Sequence, residues 1–223
     1  MRDAVAHLAG TDHEASVAAT RPDAFVAGLA EVAEDLERFV AGQLEVRRHF
    51  TREQLLAGWQ DGFDSLVAAL TSLVPGTKVP WYGPPMSPAS FATARLMEYW
   101  AHGQDVADAL GVDRTPTARL RHIAHLGVRT RAFAQRNRGL EPDPTPVAVE
   151  LTAPDGTVWR YGDVGAQAMV TGSALEFCLL VTQRRHRSDL ALEASGTAAD
   201  RWLDVAQCFA GPPGPGRAPQ QQS

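Results

Sequence analysis

Apolar residues recur with the period of an α-helix over most of the first 140 residues. One such stripe begins after Asp23 and consists of Phe25, Leu29, Val32, Leu36, Phe39 and Val40. A second begins after Thr51, a candidate helix N-cap, and consists of Leu55, Trp59, Phe63, Leu66, Leu70 and Leu73. Spacings of three and four residues place each set on one side of a helix, as in helical bundles. Beyond the proline-rich loop "VPWYGPPMSP", similar patterns predict helices over about 88–110 and 117–138.

The pattern changes after the segment "RGLEPDPTP". In "VAVELTAPDGTVWRYG", apolar and polar residues alternate on both sides of Asp155-Gly156, which predicts a β-hairpin. Two more helices are predicted near 164–185 and 197–209. We therefore expect a mainly α protein: a helical bundle over 1–140, a small α+β segment with a hairpin over 147–211, and a frayed or extended, flexible tail over 212–223, with the join near residues 139–146.

Composition excludes several classes of function. The chain has 223 residues, 44% of them hydrophobic, and a net charge of −5. This mild acidity argues against a nucleic-acid partner, which usually requires a basic face. No apolar run approaches the length of a membrane span, and the N-terminus lacks the apolar core of a signal peptide. Cys178 and Cys208 lie in apolar surroundings without a C-x-x-C spacing. A cytoplasmic protein with buried thiols and no membrane partner is expected.

Candidate chemistry lies on the predicted helix over 88–110. Glu98 and His102 are four residues apart and share a face with Phe91 and Asp105, directed away from the polar arc. Burying an ionised carboxylate without a partner costs several kcal/mol, so a compensating group is required. Two interpretations remain open at this point. A divalent metal is one of them, and a structural Glu–His pair with Arg95 as counter-ion is the other.

A third donor is needed for a metal site, and His7 is the best candidate. It lies in an apolar run between Val5 and Leu8, although a lone histidine on an apolar helix is more often a core residue than a ligand. The other histidines stand beside charged residues or at a predicted helix end.

Several of these segments together resemble a known superfamily. "HLAGTD" near the start and "RLMEYWAHGQDVADALG" later in the chain resemble the DinB-like proteins, and most closely their maleylpyruvate isomerase-type, mycothiol-dependent branch. "ELTAPDGTVWRYG", "VTGSALEFCLLVTQRRHR" and "WLDVAQCFAGPPGPGR" resemble the C-terminal part of one subgroup. The resemblance implies an up-down helical bundle with one divalent metal, usually Zn²⁺, although Ni²⁺ or Fe²⁺ also suits the site. It implies His7, Glu98 and His102 as the ligands.

The chain departs from the family pattern at its start. Relatives usually carry a further helix before the "HLA" segment, whereas here Met1 almost adjoins the histidine helix. A late start-codon assignment and the loss of one wall of the bundle are the two explanations. An exposed groove in the second case would favour a homodimer.

The resemblance also suggests mycothiol as a co-substrate. A metal-activated thiol would carry out S-transfer or isomerisation of a small electrophilic substrate. Asp105 is a candidate for orienting the His102 ring, or else an ordinary helix salt bridge. Trp81 and Tyr82 either line the pocket mouth or pack their loop. Arg184 and Arg185 are expected to be a helix C-terminal charge pair rather than anion contacts. The alternative functions are a metal–water hydrolase, lyase or cyclase, and a metal-binding protein without turnover.

Overall fold

The computed structural model describes residues 1–33, 36–163 and 165–220. These fall into two compact units, Met1–Val112 and Asp113–Ser223, which are described separately below. The boundary lies earlier in the chain than the predicted join near residues 139–146. The predicted helix over 117–138 therefore belongs to the C-terminal unit, because its first half packs against a helix of that unit.

Helices make up the N-terminal unit. Its elements are α1 (Arg2–Thr20), α2 (Pro22–Ala33), α3 (Leu36–Arg48), α4 (Arg52–Ser72) and α5 (Pro88–Leu110). Helix α1 packs against each of the other four helices. Around its C-terminal half, Ala15 and Ala18 share a buried core with Phe25, Leu66 and Phe91.

The helix predictions for this unit are mostly confirmed. Helix α4 begins after Thr51, whose hydroxyl accepts a hydrogen bond from the Gln54 backbone N–H, while the Gln54 side chain accepts one from the Thr51 N–H. This capping box satisfies two backbone donors that the helix itself leaves unpaired. Phe63 does not follow its predicted stripe, since 43% of it is exposed. The first stripe spans α2 and α3, and the Leu36 and Val40 side chains lie outside the described part of the structure.

The C-terminal unit surrounds a small sheet. Its elements are α6 (Leu120–Arg129), α7 (Arg131–Asn137), β1 (Val147–Thr152), β2 (Val158–Tyr161), β3 (Ala168–Ser173), α8 (Ala174–Val181), a 3₁₀ turn (Arg187–Asp189), β4 (Glu193–Ser195) and α9 (Thr197–Val205). The strands lie in the order β2-β1-β3-β4, with β1 and β3 parallel and the other two pairs antiparallel. The chain is thus mainly α with a small α+β C-terminal part.

The sheet and the helices of this unit bury an apolar core. Val149 and Val170 are fully buried on β1 and β3, and Phe177 on α8 contacts Trp202 on α9 edge to face. The hairpin predicted at Asp155-Gly156 is confirmed as the connection between β1 and β2. Gly156 has φ +82°, a left-handed conformation that glycine adopts without strain.

Two helix predictions for this unit are wrong in part. The predicted helix over 117–138 is divided at Thr130, whose hydroxyl donates to the carbonyl of Leu126 and to that of Gln207. Side-chain hydrogen bonds of this kind compete with the helix ladder. The predicted helix near 164–185 begins only at Ala174. The residues before it form β3, because they pair with β1 residue for residue.

The tail has contacts beyond those expected of a frayed end. Residues 212–220 contain no regular secondary structure, yet the Gln220 N–H donates to the Asp189 carboxylate at 3.0 Å. Among the described residues, none of the helices combines the length and the apolar character needed to cross a membrane.

Candidate metal centre

The first donor, His7, lies near the start of α1. This helix is rich in alanine, and Ala6, Ala9, Ala15 and Ala18 are all buried. Alanine has the highest helix propensity and the smallest side chain that favours a helix. The sequence therefore allows α1 to pack closely among its neighbours, α5 included.

The other two donors lie on α5. The Ser87 hydroxyl caps the start of this helix, Pro88 occupies its first turn, and Gly111 ends it in a left-handed conformation with φ +63°. Because Glu98 and His102 are four residues apart on this continuous helix, their side chains are adjacent on one face.

The structure brings the three predicted ligands together. His7 Nε2 lies 3.8 Å from Glu98 Oε2, and His102 Nε2 lies 3.5 Å from the same oxygen. The two imidazole rings are 4.7 Å apart between centroids. One potential ligating atom from each residue lies within 4.8 Å of the other two. Residues far apart in the sequence thus direct two nitrogens and one oxygen toward a common point.

These separations fit a shared cation better than direct hydrogen bonds. Charge-assisted N–H···O bonds are usually about 2.7–2.9 Å long. Two atoms bound to one tetrahedral zinc at about 2.0–2.1 Å are roughly 3.3 Å apart. The observed distances of 3.5 and 3.8 Å are closer to the second value. Two imidazoles and a carboxylate are also a donor set that zinc commonly accepts.

The site is accessible as well as inward-facing. The exposed fractions of the His7, Glu98 and His102 side chains are 23%, 22% and 19%. A sealed structural site would leave no route for a small molecule, whereas a partly exposed one permits an additional ligand to approach.

Asp105 lies beside the outer nitrogen of His102. Its Oδ2 is 3.3 Å from His102 Nδ1, while His102 Nε2 faces Glu98. A carboxylate at Nδ1 favours the tautomer that carries its proton there, which leaves the Nε2 lone pair directed toward Glu98 and His7. The geometry supports a positioning role for Asp105.

Glu98 is held in its ionised form. Burial by itself would raise its pKa, but favourable interactions with His102 and His7, together with the positive charge of Arg95, outweigh burial. The pKa of Glu98 consequently lies well below its usual range. The carboxylate can therefore contribute a full negative charge to the site at neutral pH.

A buried ion pair connects α1 with α5 next to the donors. Arg95 donates to Asp12 Oδ1 from Nε at 3.2 Å and from Nη2 at 2.9 Å, and Nη2 also reaches the Thr11 hydroxyl at 2.8 Å. Asp12 is fully buried, and burial raises its pKa despite the opposing effects of Arg95 and Tyr99. Arg95 therefore binds Asp12, while its charge also acts on Glu98.

Two aromatic residues extend this network to α4. The Tyr99 hydroxyl donates to Asp12 Oδ2 and accepts a hydrogen bond from Trp59 Nε1 at 3.0 Å. Burial and the adjacent Asp12 raise the pKa of Tyr99, so its hydroxyl remains a donor. The network fixes α1, α4 and α5 relative to one another and so positions His7 against Glu98 and His102.

A family model matches the N-terminal part of the chain. Residues 1–107 match the family model described as the mycothiol maleylpyruvate isomerase N-terminal domain. The chain belongs to this DinB-like family.

Two relatives from Mycobacterium tuberculosis align with nearly the whole chain. They are "Uncharacterized protein MT0041" of strain CDC 1551 / Oshkosh and "Uncharacterized protein Rv0036c" of strain ATCC 25618 / H37Rv. Each is 48% identical over 213 residues, which is 96% of this chain and 83% of the relative. No solved structure matches the chain.

Trp81 and Tyr82 lie in the aromatic core of the family domain. Trp81 stacks on Phe25 at 5.6 Å and meets Phe91 edge to face, and Tyr82 lies 5.3 Å from Phe25. These contacts support the packing interpretation of the loop. The hypothesis that the two residues line a pocket mouth gains no support from them.

Sequence reasoning missed the network residues Asp12, Tyr99 and Trp59. Asp12 was visible as the last residue of "HLAGTD", an acid within an alanine-rich helix. Tyr99 and Trp59 occupy apolar positions in their helical patterns. The sequence therefore indicated that they pack, but not that their polar atoms form hydrogen bonds.

Proposed function

We propose that this chain binds one divalent metal through His7, Glu98 and His102 and uses it with a low-molecular-weight thiol. The thiol would be mycothiol or a close analogue, and the substrate a small electrophile that undergoes S-transfer or isomerisation. The observation that carries the proposal is the convergence of two imidazole nitrogens and one carboxylate oxygen in a domain of the mycothiol-linked family.

The donor set favours zinc. Borderline cations such as Zn²⁺, and also Ni²⁺ and Fe²⁺, accept imidazole and carboxylate ligands. Three protein ligands leave a coordination position for a further ligand, which is the catalytic pattern for zinc. When bound, such an ion lowers the pKa of a coordinating thiol, so that the nucleophilic thiolate predominates at neutral pH.

The surrounding residues would keep the donors ready. Asp105 holds the His102 ring so that Nε2 faces the site. Glu98 remains ionised under the influence of both histidines and Arg95. The ion pair between Asp12 and Arg95 preserves the spacing of α1 and α5. Rigid positioning of this kind reduces the reorganisation needed when a substrate binds.

The same nucleophile supports both reaction types. Addition of a thiolate to an activated double bond leaves a single bond that can rotate. Expulsion of the same thiolate then restores the double bond in the isomeric geometry. Alternatively, the thiolate displaces a leaving group from carbon and stays attached to the product as a thioether.

Cobalt substitution tests the thiol part of the proposal. The metal-free chain is loaded with Co²⁺ and titrated with mycothiol, while near-ultraviolet absorption is recorded. We expect a sulfur-to-cobalt charge-transfer band that saturates with mycothiol and is absent in His102→Ala. The variant His13→Ala is the control, because His13 is an exposed histidine of the same helix as His7.

Failure of the band would separate the alternatives. Stoichiometric Co²⁺ binding without any response to mycothiol would contradict the thiol mechanism and favour metal–water chemistry or a metal-binding role. Absence of Co²⁺ binding in wild type would contradict the metal site itself.

A further inference from the structure

The N-terminal unit contains a cavity built only from its own residues. Its volume is about 300 Å³, at the lower end of the usual range for small-molecule sites. Helix α1, the end of α3 with the residues that follow it, and helix α4 contribute to its walls. None of the three metal donors lines this cavity, so it is distinct from the metal centre.

Glycines of α4 keep the cavity open. Gly58 and Gly62 both line it. A Cβ atom at Gly62 would lie 3.8 Å from Asp12 Cβ on α1, whereas a Cβ atom at Gly58 would meet no atom within 4 Å. Glycine in a helix interior is less favourable than alanine. Packing does not require glycine at position 58, and its effect there is to leave space beside α1.

Ser16 contributes an unpaired hydroxyl to the cavity wall. Its Oγ is buried and has no hydrogen-bond partner among the residues that the structure describes. Buried polar atoms nearly always have a partner, and an exception requires an explanation. A polar group of a ligand in the cavity would supply the missing partner.

Arg47 places a fixed positive charge on the wall. Its Nη1 donates to the backbone carbonyl of Gln43 at 3.0 Å and to the side-chain oxygen of the same residue. The guanidinium lies on α1 at Gly10, where a Cβ atom would be only 3.3 Å from Nη1. Burial lowers the pKa of Arg47, although the charge of Glu14 opposes this shift. Within the described part of the chain, Nε and Nη2 have no hydrogen-bond partner and can bind a further acceptor.

Asp61 supplies the opposite charge. It is exposed on α4, lines the same cavity, and forms no ion pair or hydrogen bond with the other described residues. The Asp61 carboxylate and the Arg47 guanidinium therefore lie beyond the ion-pair distance of about 4 Å. His13, which is exposed on α1, also lines the cavity. Opposite charges that share a small cavity without touching can be bridged by one molecule that carries both charges.

Apolar side chains form another part of the wall. Ala9 and Leu55 line the cavity and are buried, and Phe50 lines it with 40% of the residue exposed. Arg2 Nη2 donates to the carbonyl of Arg48 at 3.1 Å and to that of Phe50, which fixes the end of α3 against α1. An apolar group of a ligand would leave water on contact with this surface, which favours binding.

We propose that this cavity binds a small α-amino acid with an apolar side chain. The carboxylate of the ligand accepts hydrogen bonds from Arg47 and from the Ser16 hydroxyl. Its ammonium group donates to Asp61, and its side chain lies against Phe50 and Leu55. This binding site goes beyond the proposed metal–thiol function and does not depend on it.

Three ligands of similar shape test the requirement for both charges. The full chain is titrated with L-leucine, with L-leucinamide, which lacks the carboxylate, and with 4-methylpentanoate, which lacks the amine. Isothermal calorimetry and NMR chemical-shift mapping measure binding. We expect L-leucine to bind about tenfold more tightly than either analogue, as one charge-assisted contact implies. Shifts should map to residues around Ser16 and Gly58. Equal affinity for the three ligands, or no binding of L-leucine, would overturn the proposal.

Charge variants assign the two ends of the ligand. Arg47→Gln should weaken binding of L-leucine and 4-methylpentanoate at least threefold and leave L-leucinamide unaffected. Asp61→Asn should weaken binding of L-leucine and L-leucinamide to the same extent and leave 4-methylpentanoate unaffected. Arg52→Gln and Asp64→Asn are the controls, because both residues are exposed on α4 and do not line the cavity. Equal losses for all three ligands, or equal losses in the controls, would contradict the assignment.

Ser16→Ala separates a ligand-binding role from a structural one. The variant removes a buried hydroxyl that has no partner, so the unfolding temperature of the ligand-free chain should stay the same or rise. Affinity for L-leucine should at the same time fall at least threefold. Unchanged affinity would contradict the role of Ser16 in the site.

Gly58→Ala tests the location of the ligand. The added methyl group occupies space in the cavity, so L-leucine should bind at least threefold more weakly, while the unfolding temperature rises slightly. Gly42→Ala is the matched control, because Gly42 is exposed on α3, meets no atom within 4 Å at its Cβ position and does not line the cavity. Equal affinity of the two variants for L-leucine would contradict binding beside Gly58.

Discussion

The interiors of the two units differ in whether they contain charged side chains. The N-terminal unit buries charged groups, with Asp12 fully buried and Arg95 only 7% exposed. The C-terminal unit has an apolar interior that contains Val149, Phe177 and Trp202. Its buried polar side chains are uncharged within the described residues, namely Gln135, Thr182 and Gln207.

This difference distinguishes side chains that stabilise the fold from side chains that position the metal donors. Burial of apolar surface favours folding without requiring exact geometry. A buried ion pair adds little net stability, because desolvation offsets most of the attraction, but it strongly disfavours misplacement of either partner. We infer that the desolvation cost of the buried ion pair is tolerated because the pair fixes α1 against α5 and so holds His7 next to Glu98 and His102.

The largest expected effect comes from breaking the buried pair. Asp12→Ala leaves Arg95 buried without its carboxylate, so we expect a loss of about 3–5 kcal/mol in the free energy of unfolding. Urea unfolding of the metal-free chain, followed by tryptophan fluorescence and circular dichroism, measures this loss. The double variant Asp12→Leu/Arg95→Met should recover most of it. A loss below about 1 kcal/mol in Asp12→Ala would show that the pair is effectively solvated.

Asp105→Asn should weaken metal binding without unfolding the domain. The amide preserves the shape of Asp105 but removes the charge beside His102 Nδ1, so affinity for Zn²⁺ should fall by about 10–100-fold. Competition with a chromophoric chelator measures the affinity. Asp108→Asn is the matched control, because Asp108 lies one turn further along α5, bound to Gln104. Equal effects of the two variants would argue against a positioning role for Asp105.

The apolar unit should respond most to added volume. A Cβ atom at Gly127 would lie 2.9 Å from Val181 Cγ1 and 3.1 Å from Phe177 Cε1, where α6 packs on α8. We expect Gly127→Ala to destabilise the chain by about 1–3 kcal/mol. Gly58→Ala on α4 meets no atom within 4 Å and should instead stabilise its helix slightly. Thermal unfolding of both variants measures these effects. Stabilisation by Gly127→Ala would contradict close packing and mean that α6 and α8 separate readily.

Acid sensitivity gives the smallest and most specific effect. Because the pKa of Glu98 is lowered in the folded chain, its contribution to stability is present above its ordinary value of 4.5 and is lost as the pH falls below it. As the pH is lowered below about 5, the free energy of unfolding of the metal-free protein should therefore fall less steeply in Glu98→Gln than in wild type. Urea unfolding at several pH values tests this. Parallel curves for the two proteins would contradict the depressed pKa.

Local sequence signals predicted the elements whose causes are local. Helix α5 has its N-cap at Ser87 and ends at Gly111, and the hairpin has its turn at Gly156. Both elements could therefore be predicted from the sequence. The strand Ala168–Ser173 could not be predicted in this way, because its parallel pairing with β1 depends on contacts between residues distant in sequence. A local signal did exist, since Ser173 and Glu176 form a capping pattern that marks the true start of α8.

The candidate site was predictable only in part for the same reason. Helical spacing placed Glu98 beside His102, but it could not place His7, which required the family resemblance. The ion pair of Asp12 with Arg95 joins two helices far apart in sequence, and no periodicity indicates which charges on separate helices will meet. The charge environment of a site thus depends on tertiary packing that local patterns do not encode.

The most direct test of the account is metal content. Wild type, His7→Ala, His102→Ala and the control His13→Ala are purified identically, dialysed against Zn²⁺, and analysed by mass spectrometry for metal per chain. We predict close to one equivalent in wild type and His13→Ala, and loss of most bound metal in the other two variants. One full equivalent retained by His7→Ala or His102→Ala would contradict the three-residue metal site.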